Sequence, residues 1–377
     1  MKDRVSQLRR KAAAMILCAV LTGGGFASGD VMAAETDAAA ESDEAAAAAE
    51  ADAVLAAQAE NVTDDAVPET LEFTDVRGEV HTLVVDPTAA MHDYDAESFL
   101  TIGQNIIYTD DTKYTWRLGL DVSYYQGNID WYSVAAEGYS FVFIRIGYRG
   151  YGQRGALVED SMFRGNLEGA KAAGLDVGVY FFSQAVSAEE AAEEAQFVLS
   201  LLNGTNLELP IVYDPEFILN DDGSRATYAR MASATGAQVT LNAQTFCTVV
   251  EAAGYESAFY SNLLYESEVY DMTLLSPYTV WYADYSAVPQ TPYAFTFWQF
   301  SESGKISGIS GSVDLDLQLI PVAAEETAEI AAEDAEETAE IAAEDAETVS
   351  GAKTAAGDPG NTSEAGAAAE DVSGTGA

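Results

Sequence analysis

The chain has 377 residues, 48% of them hydrophobic, and a formal net charge of -45. That length allows two or three domains, and so negative a chain does not suit nucleic acid, which needs basic patches. The histidines, His81 and His92, lie far upstream of every candidate nucleophile. Cys–His, Ser–His–Asp and His-ligated metal chemistries are therefore disfavoured.

Residues 1–34 read as a secretory signal. Lys2, Arg4, Arg9, Arg10 and Lys11 form a basic end, an apolar run follows from Ala12 to Leu21, and small residues close with Ala33 and Ala34. The run is shorter than the roughly 20 residues that span a bilayer. Leu17 precedes Cys18 where a lipoprotein signal has a small residue, so no membrane anchor is expected. The reading is a secreted protein, extracellular or associated with a cell wall. Residues 35–70 are mostly Ala, Glu and Asp and read as a disordered acidic linker.

Residues 71–115 read as a small β-rich extension. Leu71 to Asp75 and Glu79 to Val85 alternate like a hairpin around Gly78. The piece is too small for its own core and is expected to pack on the main domain.

The main domain is expected over 116–320. Apolar strand-like runs recur at 118–123, 141–147, 177–182, 209–216, 258–261, 279–283, 295–299 and 312–315. Helical patterns fall at 160–173, 188–202 and 237–253, with a shorter one after Trp131, and Gly174 and Gly254 stand where C-caps belong. Alternating strand and helix implies an α/β fold with a parallel sheet, and eight strands imply a barrel. The domain is short for that architecture, and the last strands leave little room for helices. The expectation is an irregular TIM-like (β/α) barrel with some helices missing. Cys247, alone in the mature chain, reads as a small core hydrophobe on a helix. From 321 to 377 the sequence is a disordered acidic repeat tail, in which residues 325–335 recur at 336–346. A monomer is the default.

The candidate site lies in the run Leu209-Pro210-Ile211-Val212-Tyr213-Asp214-Pro215-Glu216-Phe217. It begins as a buried strand and ends in two carboxylates at i and i+2, which on a strand point to one side. Two such acids resist ionising together, so one can hold a proton while the other stays charged. Glycoside hydrolysis needs that division of labour. Further acids fall at strand ends: Asp121 on the first strand, Asp314 and Asp316 on the last. Closure of a barrel makes those two strands neighbours, and the C-terminal strand ends would gather all these acids on one face. Tyr148, Tyr180, Trp281, Tyr285 and Trp298 cluster near the same ends and could offer ring faces to sugars, with Asp284 and Gln299 as further polar contacts.

The run Asp121-Val-Ser-Tyr-Tyr-Gln126-Gly127-x-Ile129-Asp130-Trp131 resembles the opening of the family 25 glycoside hydrolases, the bacterial and phage muramidases or lysozymes. The likeness continues through Phe143-Ile-Arg-Ile-Gly147-Tyr148, Gly178-Val-Tyr180-Phe, Asp214-x-Glu216, Tyr260-Ser261-Asn262, Trp281-Tyr-Ala283-x-Tyr285, Trp298-Gln299-Phe-Ser and Gly311-x-Val-Asp314. The resemblance implies cleavage of the β-1,4 bond between N-acetylmuramic acid and N-acetylglucosamine in peptidoglycan, with retention and with help from the substrate's own N-acetyl group. It implies that Glu216 is the acid and then base, and that Asp214 steadies the N-acetyl group. Asp121, Asp314 and Tyr180 match other pocket positions. Neither a cofactor nor a metal is implied. Two departures stand out: Pro215 lies between the acids where the family often has Val or Ile, and Phe181 lies where many members have His. The alternative is a non-catalytic barrel that binds wall glycan.

Overall fold

The computed structural model describes residues 68–322, apart from 76 and 111. The leader at 1–34, nearly all of the linker at 35–70 and nearly all of the tail at 321–377 lie outside the described residues. The chain divides into two compact units, with the boundary after Ile320. The barrel and the segment before it belong to the first unit.

Eight strands close into a ring. They are β5 (Tyr114–Val122), β6 (Tyr139–Arg149), β8 (Asp176–Ser183), β9 (Ile211–Pro215), β10 (Ser257–Asn262), β11 (Thr279–Ala283), β12 (Phe297–Gly304) and β13 (Val313–Pro321). They follow that order around the barrel, and β5 pairs with both β13 and β6. A short strand, β7 (Leu157–Glu159), adds to β6 outside the ring. From β5 to β12 every neighbouring pair is parallel. The last strand breaks the rule, since β13 runs antiparallel to β12. The segment between them, residues 305–312, is too short for the crossover a parallel pair requires. Asp314 and Asp316 therefore reach the shared mouth from the N-terminal end of their strand, not the C-terminal end.

Helices cover part of the outside: α1 (Trp131–Ala136), α2 (Phe163–Ala172), α3 (Ala188–Leu202), α4 (Gly236–Ala252), α5 (Leu263–Glu268) and α6 (Met272–Leu275). Side chains cap several of them. Ser187 accepts from the Glu190 amide at α3 and Thr235 from the Gln238 amide at α4, each satisfying a donor that the helix leaves free. Among the described residues no helix joins β11 to β12 or β12 to β13. Cys247 lies buried on α4.

Inside the ring, alternate residues fill a dry lower half. Phe141, Phe143, Tyr180, Val212, Ala258, Trp281 and Phe297 form one cluster, with the Phe143 and Trp281 rings stacked at 4.8 Å. Two glycines make room for it. A Cβ on Gly119 would come within 2.3 Å of the Phe141 ring, and one on Gly178 within 2.5 Å of the Phe143 ring. Outward side chains of the same strands form a second, larger core beneath the helices.

The segment before the barrel makes two hairpins, β1 (Thr70–Thr74) with β2 (Val80–Val84) and β3 (Phe99–Ile102) with β4 (Asn105–Tyr108). Phe73, Leu83, Val85, Phe99 and Tyr108 join the outer core. His92 bonds the Thr291 carbonyl at 2.8 Å, and the ring edge of Phe99 meets Trp298 at 5.4 Å.

Candidate active site

The mouth of the barrel is polar where the floor is apolar. Asp121 lies one residue before the end of β5, Asp214 likewise on β9, and Asp316 near the start of β13; all three are buried. Asp314 is half-buried two residues before Asp316. Asp121 and Asp316 each have a defined support. The Gln299 amide donates to Asp121 at 2.6 Å, and the Gln299 carbonyl oxygen accepts from the Tyr260 and Tyr285 hydroxyls at 2.9 and 3.1 Å. The Trp281 indole donates to Asp316 at 2.8 Å. One oxygen each of Asp214 and Asp316 is buried with no protein partner. Orphaned acceptors of this kind are costly and uncommon away from functional sites.

Glu216 lies one residue beyond β9. It is exposed to solvent, whereas Asp214 two residues earlier is buried. Burial raises the Glu216 carboxyl, the charge of Asp314 adds to this, and Arg145 opposes both. Burial and then the charge of neighbouring Glu216 push Asp214 well up, again opposed by Arg145. Asp214 is the deeper of the two, so without ligand it carries the larger desolvation cost of ionisation. Two such carboxyls resist ionising together, and a group that hydrogen-bonds to one decides which of them holds a proton.

A second proton-sharing group lies across the mouth. Burial raises Asp121, and the charges of Asp314 and Asp316 add to it. Burial and Glu302 lift Asp314 to about 6, while a hydrogen bond from Asp121 holds it down. Asp316 is raised by burial, against the pull of the Trp281 indole.

Arg145 is the cation that makes so many acids tolerable. It is the inward residue of β6 above Phe143, and Asp160 pairs with it at 2.8 Å. The Tyr124, Tyr125 and Tyr148 rings surround its guanidinium at 4.9, 5.5 and 5.7 Å. Sequence reasoning overlooked its role. The available signal was a lone charge inside the apolar strand Phe141-Val142-Phe143-Ile144-Arg145-Ile146, since a buried charge must find a partner.

The candidate residues separate into groups. Asp121, Asp214, Glu216 and Asp314 meet at the mouth with Tyr180, whose hydroxyl burial pushes up, as does the Asp121 charge. Tyr285 stands half-exposed at the rim. Tyr148 also reaches the mouth, because a bulge between Arg145 and Gly147 turns it inward. Trp281 is floor: it is 1% exposed and offers its N–H, not a ring face. Trp298 is a correction. It faces out of the barrel, fully buried against Phe99 and Phe300, and donates to the Asp284 carbonyl. Asp284 is no mouth residue either; it organises its own loop through Tyr282, Ser286 and Gln290. Phe181 also faces outward, onto Phe197, so its departure from the family pattern removes nothing from the mouth.

One group of metal-ligand type converges among the described residues, Asp75, Glu79 and His81 in the first hairpin. Arg77 already binds both acids there, at 2.8 and 2.9 Å.

A closed barrel with paired carboxylates at its mouth is a carbohydrate-cleaving arrangement in outline, and comparison with known proteins narrows it. Residues 120–309 match the family described as glycosyl hydrolases family 25, and the chain belongs to that family. It is 31% identical over 205 residues to lysozyme M1 of Streptomyces globisporus, covering 52% of this chain and 65% of that one. It is 25% identical over 199 residues to the autolytic lysozyme of Clostridium acetobutylicum, covering 52% and 54%. The chain thus spans between half and two thirds of the length of these relatives. Among solved structures, the bacterial lysozyme of Streptomyces coelicolor is 25% identical with a TM-score of 0.43, covering 56% of this chain and 95% of that one.

Proposed function

We propose that this chain is a muramidase that cleaves the β-1,4 bond following N-acetylmuramic acid in peptidoglycan. The observation that carries the proposal is the Asp214–Glu216 pair: two raised carboxyls on one strand end, at the mouth of a family 25 barrel. Glu216 has the open side a leaving oxygen needs, and is the proton donor. Asp214 is the deeper acid and receives the N–H of the substrate's 2-acetamido group. That hydrogen bond favours the ionised form of Asp214 and passes the shared proton to Glu216. With the amide held there, its carbonyl oxygen attacks the anomeric carbon and forms the oxazolinium as the glycosidic bond breaks. Glu216 then takes a proton from water, which opens the ring with net retention. No second protein nucleophile is required, which fits two acids on one strand rather than on opposite walls.

Asp121, set by the Gln299 amide, and Asp314 line the far side and accept from sugar hydroxyls. Tyr148, Tyr180 and Tyr285 complete the wall. Secretion and action on wall glycan outside the cell belong to the same proposal, supported by the basic end and apolar run of the first 34 residues.

The test is digestion of purified peptidoglycan by the full chain, with mass analysis of the new reducing ends. Muramic-acid ends that vanish in Glu216→Gln are expected. Glucosamine ends would reassign the bond, and tight binding with no new ends would favour a glycan-binding barrel.

A further inference from the structure

Glu216 has no strand to hold it. The β9 ladder ends at Pro215, and Glu216 begins a long loop that runs to α4. An acid that must meet a glycosidic oxygen within a few tenths of an ångström cannot be left to a free loop. The peptide unit that follows it is instead gripped on both edges. The Gln184 side-chain amide donates to the Glu216 carbonyl oxygen at 2.5 Å, and the Phe217 amide donates to the Tyr265 hydroxyl at 3.0 Å. These are the C=O and N–H of one peptide plane, so together they fix its rotation.

Both gripping residues are themselves fixed. Gln184 is wholly buried just past the end of β8, and the preceding Ser183 donates to Glu194 at 2.6 Å. Arg149 pairs with that same Glu194 at 2.7 Å. Tyr265 comes from α5, on the other flank of β9, with its ring tilted against Phe217 at 5.6 Å. The other end of the Gln184 amide, Oε1, is buried without a protein partner. A residue kept only for packing would be better apolar, because an orphaned buried carbonyl loses its hydration and gains nothing in return. The Gln184 N–H is retained despite that cost.

We propose that Gln184 and Tyr265 are positioning residues for the reaction: they clamp the Glu216–Phe217 peptide from two sides and so set the aim of the Glu216 carboxyl. The inference rests on Glu216 being the proton donor. Both residues act through Glu216 and neither needs to touch the substrate. Loss of either loosens the carboxyl without opening the sugar-binding wall.

The test uses the full chain on soluble peptidoglycan strands, with Gln184→Leu, Tyr265→Phe and the double variant. Each single variant is expected to lower kcat by roughly tenfold to a hundredfold while KM stays within about twofold. The double variant should fall little further than the worse single one, because both grip one peptide. The pH profile of kcat should shift, since a mobile Glu216 is better hydrated. Tyr265→Phe keeps the ring packing and decides the matter if Gln184→Leu does not fold. Folded variants with wild-type kcat and pH profile would overturn the clamp, as would a loss confined to KM. The underlying reading fails differently: Glu216→Gln would then retain turnover, whatever the clamp variants do.

Discussion

The two halves of the barrel interior are lined by the same strands and obey opposite rules. In the floor, Phe141, Phe143, Val212, Trp281 and Phe297 pack with no charge among them. One layer up, the same strands present Asp121, Arg145, Asp214, Gln299 and Asp316, all buried. The floor gains stability from every contact. The mouth gives stability up, since burying acids that repel one another is unfavourable unless a cation or a proton intervenes. The contrast locates chemistry: stability is sacrificed only where charge is useful.

The largest effect expected from breaking this contrast is at Arg145. Arg145→Met leaves Asp160, only 2% exposed, without its partner, and should cost about 3–5 kcal/mol in chemical denaturation. Any folded fraction should show its activity profile moved to higher pH, because Arg145 is what holds Asp214 and Glu216 down. Asp214→Asn acts in the other sense. Turnover should drop by about a hundredfold to a thousandfold, while the unfolding midpoint at neutral pH rises as a buried acid disappears. A midpoint that falls would mean Asp214 is a structural acid.

A floor substitution should spare the chemistry. Phe143→Leu is expected to lose about 1–2 kcal/mol of stability and to keep kcat per folded molecule within about twofold. The smallest effect concerns pH. Asp314 titrates near 3.8 when unfolded and at about 6 in the folded chain. Across that window the folded state holds a proton that the unfolded state has lost. The Asp314 contribution to stability is thus greatest below 3.8 and falls until the pH passes about 6. Asp314→Asn should flatten that part of the stability profile, and an unchanged slope would mean that Asp314 is solvated.

Much of the fold was legible in the sequence, for definite physical reasons. Eight apolar runs announced eight strands, and the i, i+2 acids announced one face. Direction around the barrel was harder to read. Strands of such a sheet are apolar on both sides, so nothing local says that Trp281 points in while Trp298, on the next strand and in register with Tyr282, points out. Tyr148 faces inward only because of a bulge. The reversal of β13 had a signal, the short link after Gly304, which should have outweighed the assumption of a wholly parallel ring. Gln184 and Tyr265 had none, because their partner is a backbone peptide rather than a side chain.

The most direct test of this division between mouth and floor is a paired measurement of turnover and unfolding midpoint for Glu216→Gln and Phe143→Leu at one pH. Glu216→Gln is expected to lose at least about a thousandfold in kcat with its midpoint unchanged or raised, while Phe143→Leu loses stability and keeps its turnover. A Glu216→Gln variant that still cleaves peptidoglycan, or that unfolds as readily as the floor variant, would contradict the division.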